Sequence, residues 1–110
     1  MTTRTINVDV VNNNIVCSDG RHVGGHLRGH KDDKVVWDST NYKFSLSFAL
    51  LTGSGEPNWP FQGGAAPPSD VKHFDGQLAL ADPNNLPAYK YTVFIDGYVP
   101  LDPIIIVDRK

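Results

Sequence analysis

The sequence predicts an all-β domain, a β-sandwich of about seven short strands, and three observations carry that prediction. Apolar residues recur at every second position through most of the chain, the period of a strand with one buried face. Good helix formers are scarce and turn formers abundant: six Ala, one Met and one Glu stand against 26 residues of Asn, Gly and Pro. Turn dipeptides interrupt the apolar runs at short intervals and no window carries a helical pattern, which favours a sandwich or barrel over an α/β fold.

The elements follow in order. Residues 5–11 form the first expected strand, where Ile6, Val8 and Val10 alternate with Asn7 and Asp9. A turn or bulge at Asn12-Asn13-Asn14 leads into residues 15–18. Residues 34–39 hold Val35, Val36 and Trp37. Residues 43–50 give the cleanest alternation, with Phe44, Leu46, Phe48 and Leu50 on one face and Lys43, Ser45 and Ser47 on the other. Residues 77–81 set Leu78 and Leu80 together. Residues 89–95 place Tyr89, Tyr91, Val93 and Ile95 on one side, and residues 104–107 close the chain. Asp19-Gly20, Asp32-Asp33, Ser39-Thr40-Asn41, Asp82-Pro83-Asn84-Asn85, Asp96-Gly97 and Asp102-Pro103 are the turns between them. Two segments break the rhythm: residues 20–31, rich in Gly, His and Arg, and residues 52–69, a long run of Gly, Pro and small residues around Trp59 and Phe61. A loop as long as the second is usually functional or hides a short element of its own.

A length of 110 residues suits one domain, expected to span residues 1–110, and eleven aromatic residues suffice for a core. The net charge of −2 speaks against a nucleic-acid binder, which normally shows a basic face. Cys17 is the only cysteine, so an internal disulfide is excluded. The N-terminus has no apolar h-region and no apolar run approaches the ~20 residues of a membrane helix, so the expectation is a soluble, cytoplasmic protein without membrane contact.

Two stretches carry a resemblance. Residues 31–48, KDDKVVWDSTNYKFSLSF, resemble the cupredoxin-like pattern of an acidic turn, a Val-Val-Trp strand, a polar turn and a Phe-rich alternating strand. Residues 86–107, LPAYKYTVFIDGYVPLDPIIIV, resemble the C-terminal hairpin of small bacterial cupredoxin-like or immunoglobulin-like domains. The resemblance implies a Greek-key β-sandwich and, for function, little more. A blue-copper site needs two His, a thiolate and usually a Met, with Cys, His and Met together near the C-terminus in that family. From Tyr89 onward this chain has none of the three, and Asn41, Tyr42 and Phe44 occupy the region of the family's first His. The copper function is not carried over, and no cofactor is expected.

Four groups of residues are candidates for chemistry. His22, His26 and His30 recur every fourth residue, with Cys17 five residues upstream, and imidazole and thiolate are ordinary zinc or copper ligands. Against a helix that would align them stand Gly24, Gly25 and Gly29, and a solvated loop holding no metal is the plainer reading. The same stretch, with Arg21, Arg28, Lys31 and Lys34, has the charge to meet an anion, partly cancelled by Asp32 and Asp33. Cys17 as a nucleophile would need a base beside it, whereas Ile15-Val16-Cys17 reads as a buried strand in which Cys is a small apolar residue. Neither a nucleophile elbow nor a phosphate loop is present. Finally, Asn58-Trp59-Pro60-Phe61 sets aromatics on a proline-stiffened loop, either to anchor a partner or to plug one open end of the sandwich. Tyr89 or Tyr91 suits a tyrosine-corner hydrogen bond. Together these observations lead to a non-enzymatic binding or assembly module that shows residues 52–69 and 20–31 to a protein partner or to itself, as a homo-oligomer. The alternative is a metal-binding protein using the histidine segment.

Overall fold

The structure, a computed structural model, describes residues 2–18, 27–52, 59–63, 67–79 and 87–108. These residues form eight strands and no helix: β1 (Thr3–Val11), β2 (Asn14–Ser18), β3 (Leu27–His30), β4 (Lys34–Asp38), β5 (Ser45–Thr52), β6 (His73–Gln77), β7 (Ala88–Phe94) and β8 (Ile104–Asp108). No helix among them is long and apolar enough to cross a membrane. The strands make two four-stranded sheets, ordered β2-β1-β4-β6 and β3-β8-β7-β5. From β2 to β7 consecutive strands alternate between the sheets, so each buried face is assembled from residues distant in the chain.

Local chemistry sets the turns. β1 and β2 are joined by a two-residue loop, Asn12 and Asn13, both with positive φ (52° and 64°), between the paired Val11 and Asn14. Two successive left-handed residues make a type I′ turn, whose twist matches that of a hairpin, and Asn tolerates that conformation better than most. At Asp96-Gly97, Gly97 takes a φ of 89° while the amide of Tyr98 donates to the carbonyl of Ile95 at 3.1 Å. The expected turn is therefore formed, with glycine where a side chain would be strained.

The alternation read from the sequence decides which side chains face inward. Ile6 and Val8 of β1, Cys17 of β2, Val35 and Trp37 of β4, Leu46 and Phe48 of β5, and Tyr89, Tyr91 and Val93 of β7 are all buried in one apolar cluster. Across β5 and β7 the inward residues pair directly, Leu46 with Val93, Phe48 with Tyr91 and Leu50 with Tyr89. Trp37, with no exposed surface, joins the two sheets. Its ring lies 5.3 Å from Tyr91 and 6.0 Å from Phe48 on the facing sheet, and 5.8 Å from Phe61, mostly edge to face. Such pairs contribute about 0.5–1.5 kcal/mol each beyond simple burial. The indole N–H of Trp37 has no hydrogen-bond acceptor among the described residues.

Two elements depart from the sequence expectation. Within residues 20–31, expected to be loop, Leu27–His30 is a strand paired in parallel with β8, Leu27 against Ile105 and Gly29 against Val107. A four-residue strand with glycine at an inward position shows no local periodicity; its partner lies at the far end of the chain. The strand expected at 77–81 is instead β6, His73–Gln77, antiparallel to β4. Its inward positions are Phe74 and Gly76, and the Phe61 ring fills the place of the missing Gly76 side chain, 2.7 Å from where a Cβ would stand. The alternation is invisible because another part of the chain supplies half of it. Leu78 is still fully buried, bridged to Phe61 just beyond the strand.

One end is fastened by Asp33. Its carboxylate, almost wholly buried, accepts the backbone N–H of Thr2 at 2.9 Å and of His30 at 3.0 Å. Around it the Asp33 amide donates to the His30 carbonyl, and its carbonyl accepts from the amide of Leu78. Asp32, at φ 71°, turns the chain between β3 and β4. Burial by itself would raise the Asp33 pKa, but the His30 and Thr2 amides, helped by the charges of His30 and Arg4, hold it below the ordinary carboxylate value. One buried acid thus ties the start of β1, the β3–β4 turn and the exit from β6.

Candidate functional site

The long segment 52–69 returns to the body of the protein through its aromatics. Phe61 is only 2% exposed, and Trp59 is half-buried beside it, ring centroids 5.4 Å apart. Trp59 also meets Phe48 at 5.5 Å, and Phe61 meets Phe48 at 5.4 Å and Phe74 at 5.8 Å, so both rings close the aromatic cluster begun by Trp37. The backbone fixes them there: Gln62 N–H donates to the Gln77 carbonyl, and Ala79 N–H to the Pro60 carbonyl, both at 2.8 Å. The indole N–H of Trp59 donates to the Gly63 carbonyl at 3.1 Å. At the other end of the segment, Leu46 N–H donates to the Pro68 carbonyl, and Phe44 exchanges two bonds with Val71. Asn58 lies outside the described residues. Of the two aromatics read from the sequence, then, Phe61 is a core side chain and Trp59 keeps one part of its ring at the surface.

The histidine and cysteine candidates separate. Cys17, on β2 of the first sheet, points into the core with no exposed surface, and burial pushes its thiol pKa up to about 12. The thiol is therefore neutral at physiological pH, and it is the thiolate that attacks or binds metal. His30, on β3 of the second sheet, is exposed and turned toward Asp33, its Nδ1 3.7 Å from Oδ2. The structure does not bring Cys17 and His30 together. His22 and His26 lie outside the described residues. Among the described residues no group of three or more His, Cys, Asp and Glu is placed to hold a metal ion.

What the sequence reading passed over is the outward face of the first sheet. Register sets Ser18, Asn7, Asp38 and His73 side by side across all four strands. His73 stands between two carboxylates, its Nδ1 3.5 Å from Asp38 Oδ1 and its Nε2 3.1 Å from Asp75 Oδ2. Asp75 in turn lies 3.8 Å from the ammonium of Lys34. Above this row, Asn7, Val8, Asp9, Asp38, Thr40 and Asn41 line a cleft of about 320 Å³. The signal was there in the residues alternating with the apolar ones, Asn7 and Asp9 between Ile6, Val8 and Val10, but only sheet order puts them beside Asp38. The chain matches no protein-family model and no curated protein, so function is argued from these residues themselves.

Proposed function

We propose that the chain is a non-enzymatic binding or assembly module, a Greek-key β-sandwich of the cupredoxin-like or immunoglobulin-like kind. Residues 52–69 are its contact segment, and a protein partner or a second copy of the chain is what they meet. The observation that carries this reading is the anchoring of residues 59–63: Trp59 and Phe61 are seated in the aromatic cluster and stitched by backbone bonds to the end of β6. Ordering a flexible segment on binding costs about 1–2 kcal/mol per residue in backbone entropy, and a segment already fastened near its middle avoids part of that cost. The strand that feeds the segment adds support. β5 is at the edge of its sheet, and its eight residues, SLSFALLT, include no charge and no proline, while Leu51 is 51% exposed. Edge strands are commonly protected by such residues; here the Pro68 carbonyl bonds the edge at Leu46, and the end at Leu51 is the part offered for contact.

Photo-crosslinking from positions 51 and 62, with position 5 on the opposite sheet as control, tests the reading alongside sedimentation of the free protein. Cross-links from 51 and 62 to a second copy or to one partner, lost on Leu51→Asp, are expected. Equal labelling from all three positions, or none from 51 and 62, overturns it.

A further inference from the structure

We propose that the chain carries a second site, independent of the contact segment: the cleft on the outward face of the first sheet takes a small neutral ligand rich in hydroxyl groups, of the sugar or polyol class. The cleft arises where two parallel strands part. β1 and β4 are paired from Thr3–Lys34 up to Asn7–Asp38, and the pairing ends there. β4 turns away at Ser39, whose amide donates to the Lys72 carbonyl and whose hydroxyl accepts the amide of Tyr42. β1 continues to Val11, and the gap between its upper half and the departing loop is the cleft.

Its walls are polar on both counts, side chain and main chain. Val8 lines it, yet the Val8 side chain is 2% exposed and faces the core, so Val8 shows the cleft its backbone. The amide of Val10 donates to the carboxylate of the preceding Asp9 at 2.8 Å. The other described lining residues are two carboxylates, Asp9 and Asp38, two amides, Asn7 and Asn41, and the hydroxyl of Thr40. Asn7 and Asp38 are direct neighbours across the strands, and Asp9 lies two residues further along the same face of β1.

Ligand classes can be separated on that chemistry. Among the described residues no Lys or Arg lines the cleft, so a phosphate or carboxylate ligand would face the like charges of Asp9 and Asp38 there. Val8, the one apolar residue among the described lining residues, turns its side chain away, so they offer an apolar ligand no wall to bury against. Among the described residues no group of three His, Cys, Asp or Glu is placed to hold a metal ion. A hydroxyl, by contrast, donates to a carboxylate and accepts from an amide NH₂ at once. Vicinal hydroxyls therefore fit the adjoining Asp38 and Asn7, and the volume admits one sugar ring. His73, at 3.5 Å, steadies Asp38 from the side away from the cleft lining.

The test is an amide chemical-shift titration of the full chain with glucose, galactose, mannose, N-acetylglucosamine and myo-inositol, and separately with calcium chloride and with spermidine. At least one sugar or polyol is expected to give saturable shifts confined to residues 7–10 and 38–41, at a Kd of about 1 mM or tighter. Asn7→Ala and Asp38→Ala, both on the exposed face, should each weaken that binding about tenfold or more while the rest of the spectrum stays in place. No saturable shift at ~50 mM of any sugar or polyol, well above that Kd, would overturn the proposal. So would saturable shifts with calcium or spermidine alone, or sugar binding that survives both substitutions.

Discussion

Gly76→Ala probes the seating of the long segment most directly, because the new methyl group would meet one named ring. An ideal Cβ at Gly76 stands 2.7 Å from Cδ1 and Cγ of Phe61 and 3.1 Å from its Cε1, closer than packed carbon atoms approach. The ring has little freedom to retreat, since Trp37, Phe48, Trp59 and Phe74 surround it at centroid distances of 5.8, 5.4, 5.4 and 5.8 Å. Overpacking of this kind costs about 1–3 kcal/mol. Replacing glycine inside a strand recovers roughly 0.5–1 kcal/mol of it. The net expectation is a loss of about 1 kcal/mol, or roughly 4–5 °C in Tm for a chain of this length. Urea unfolding followed by tryptophan fluorescence measures it, with Trp37 and Trp59 both reporting on this cluster. The decisive comparison is the same change made in Phe61→Ala. There the obstructing ring is gone, and Gly76→Ala should stabilise by about 0.5 kcal/mol, reversing its sign. A Gly76→Ala protein as stable as the parent, or the same effect in both backgrounds, would refute the claim that Phe61 takes the place of a β6 side chain.

The other predictions concern single sites. Asp33→Asn removes a buried charge that accepts two backbone amides and should cost about 2 kcal/mol in urea titrations at pH 7. Because the folded pKa of Asp33 lies below the ordinary carboxylate value, its contribution is complete above the unfolded pKa and fades as the pH falls through the folded one. Acid titration of stability should therefore fall less steeply below about pH 4 in Asp33→Asn than in the parent. Cys17, buried and with its pKa pushed up to about 12, should resist iodoacetamide at pH 8 in the folded protein and react promptly in urea; fast labelling without denaturant would contradict its placement. Asn13→Ala puts a residue with a Cβ but no tolerance for φ 64° into the β1–β2 turn and should lower stability by roughly 1 kcal/mol. Asn13→Gly should be at least as stable as the parent, and thermal melts would distinguish the two.

Several features were legible in the chain because they depend on one strand at a time. Phe44, Leu46 and Phe48, and likewise Tyr89, Tyr91, Val93 and Ile95, are buried as their alternation required. Cys17 is the small apolar core residue that its neighbours Ile15 and Val16 suggested. The pair Trp59 and Phe61 stood out as either anchor or plug, and both rings are packed into the end of the core. The strands β3 and β6 were not legible, since one pairs with the last strand of the chain and the other borrows a ring from residue 61. His73 drew no attention as an isolated histidine; its meaning comes from Asp38 and Asp75 on either side.

By itself, then, the sequence determined the all-β class and the inward or outward sense of most side chains. A β-strand sends successive side chains to opposite faces whatever it pairs with, so that information is local. Only the tertiary structure decided that β1 lies parallel to β4, that Phe61 covers Gly76, and that the two parallel strands part beyond Asp38 to open a polar cleft. Those outcomes depend on which distant segments pair and in what register, and that is settled by the joint packing of both sheets around Trp37 rather than by the preferences of any one segment.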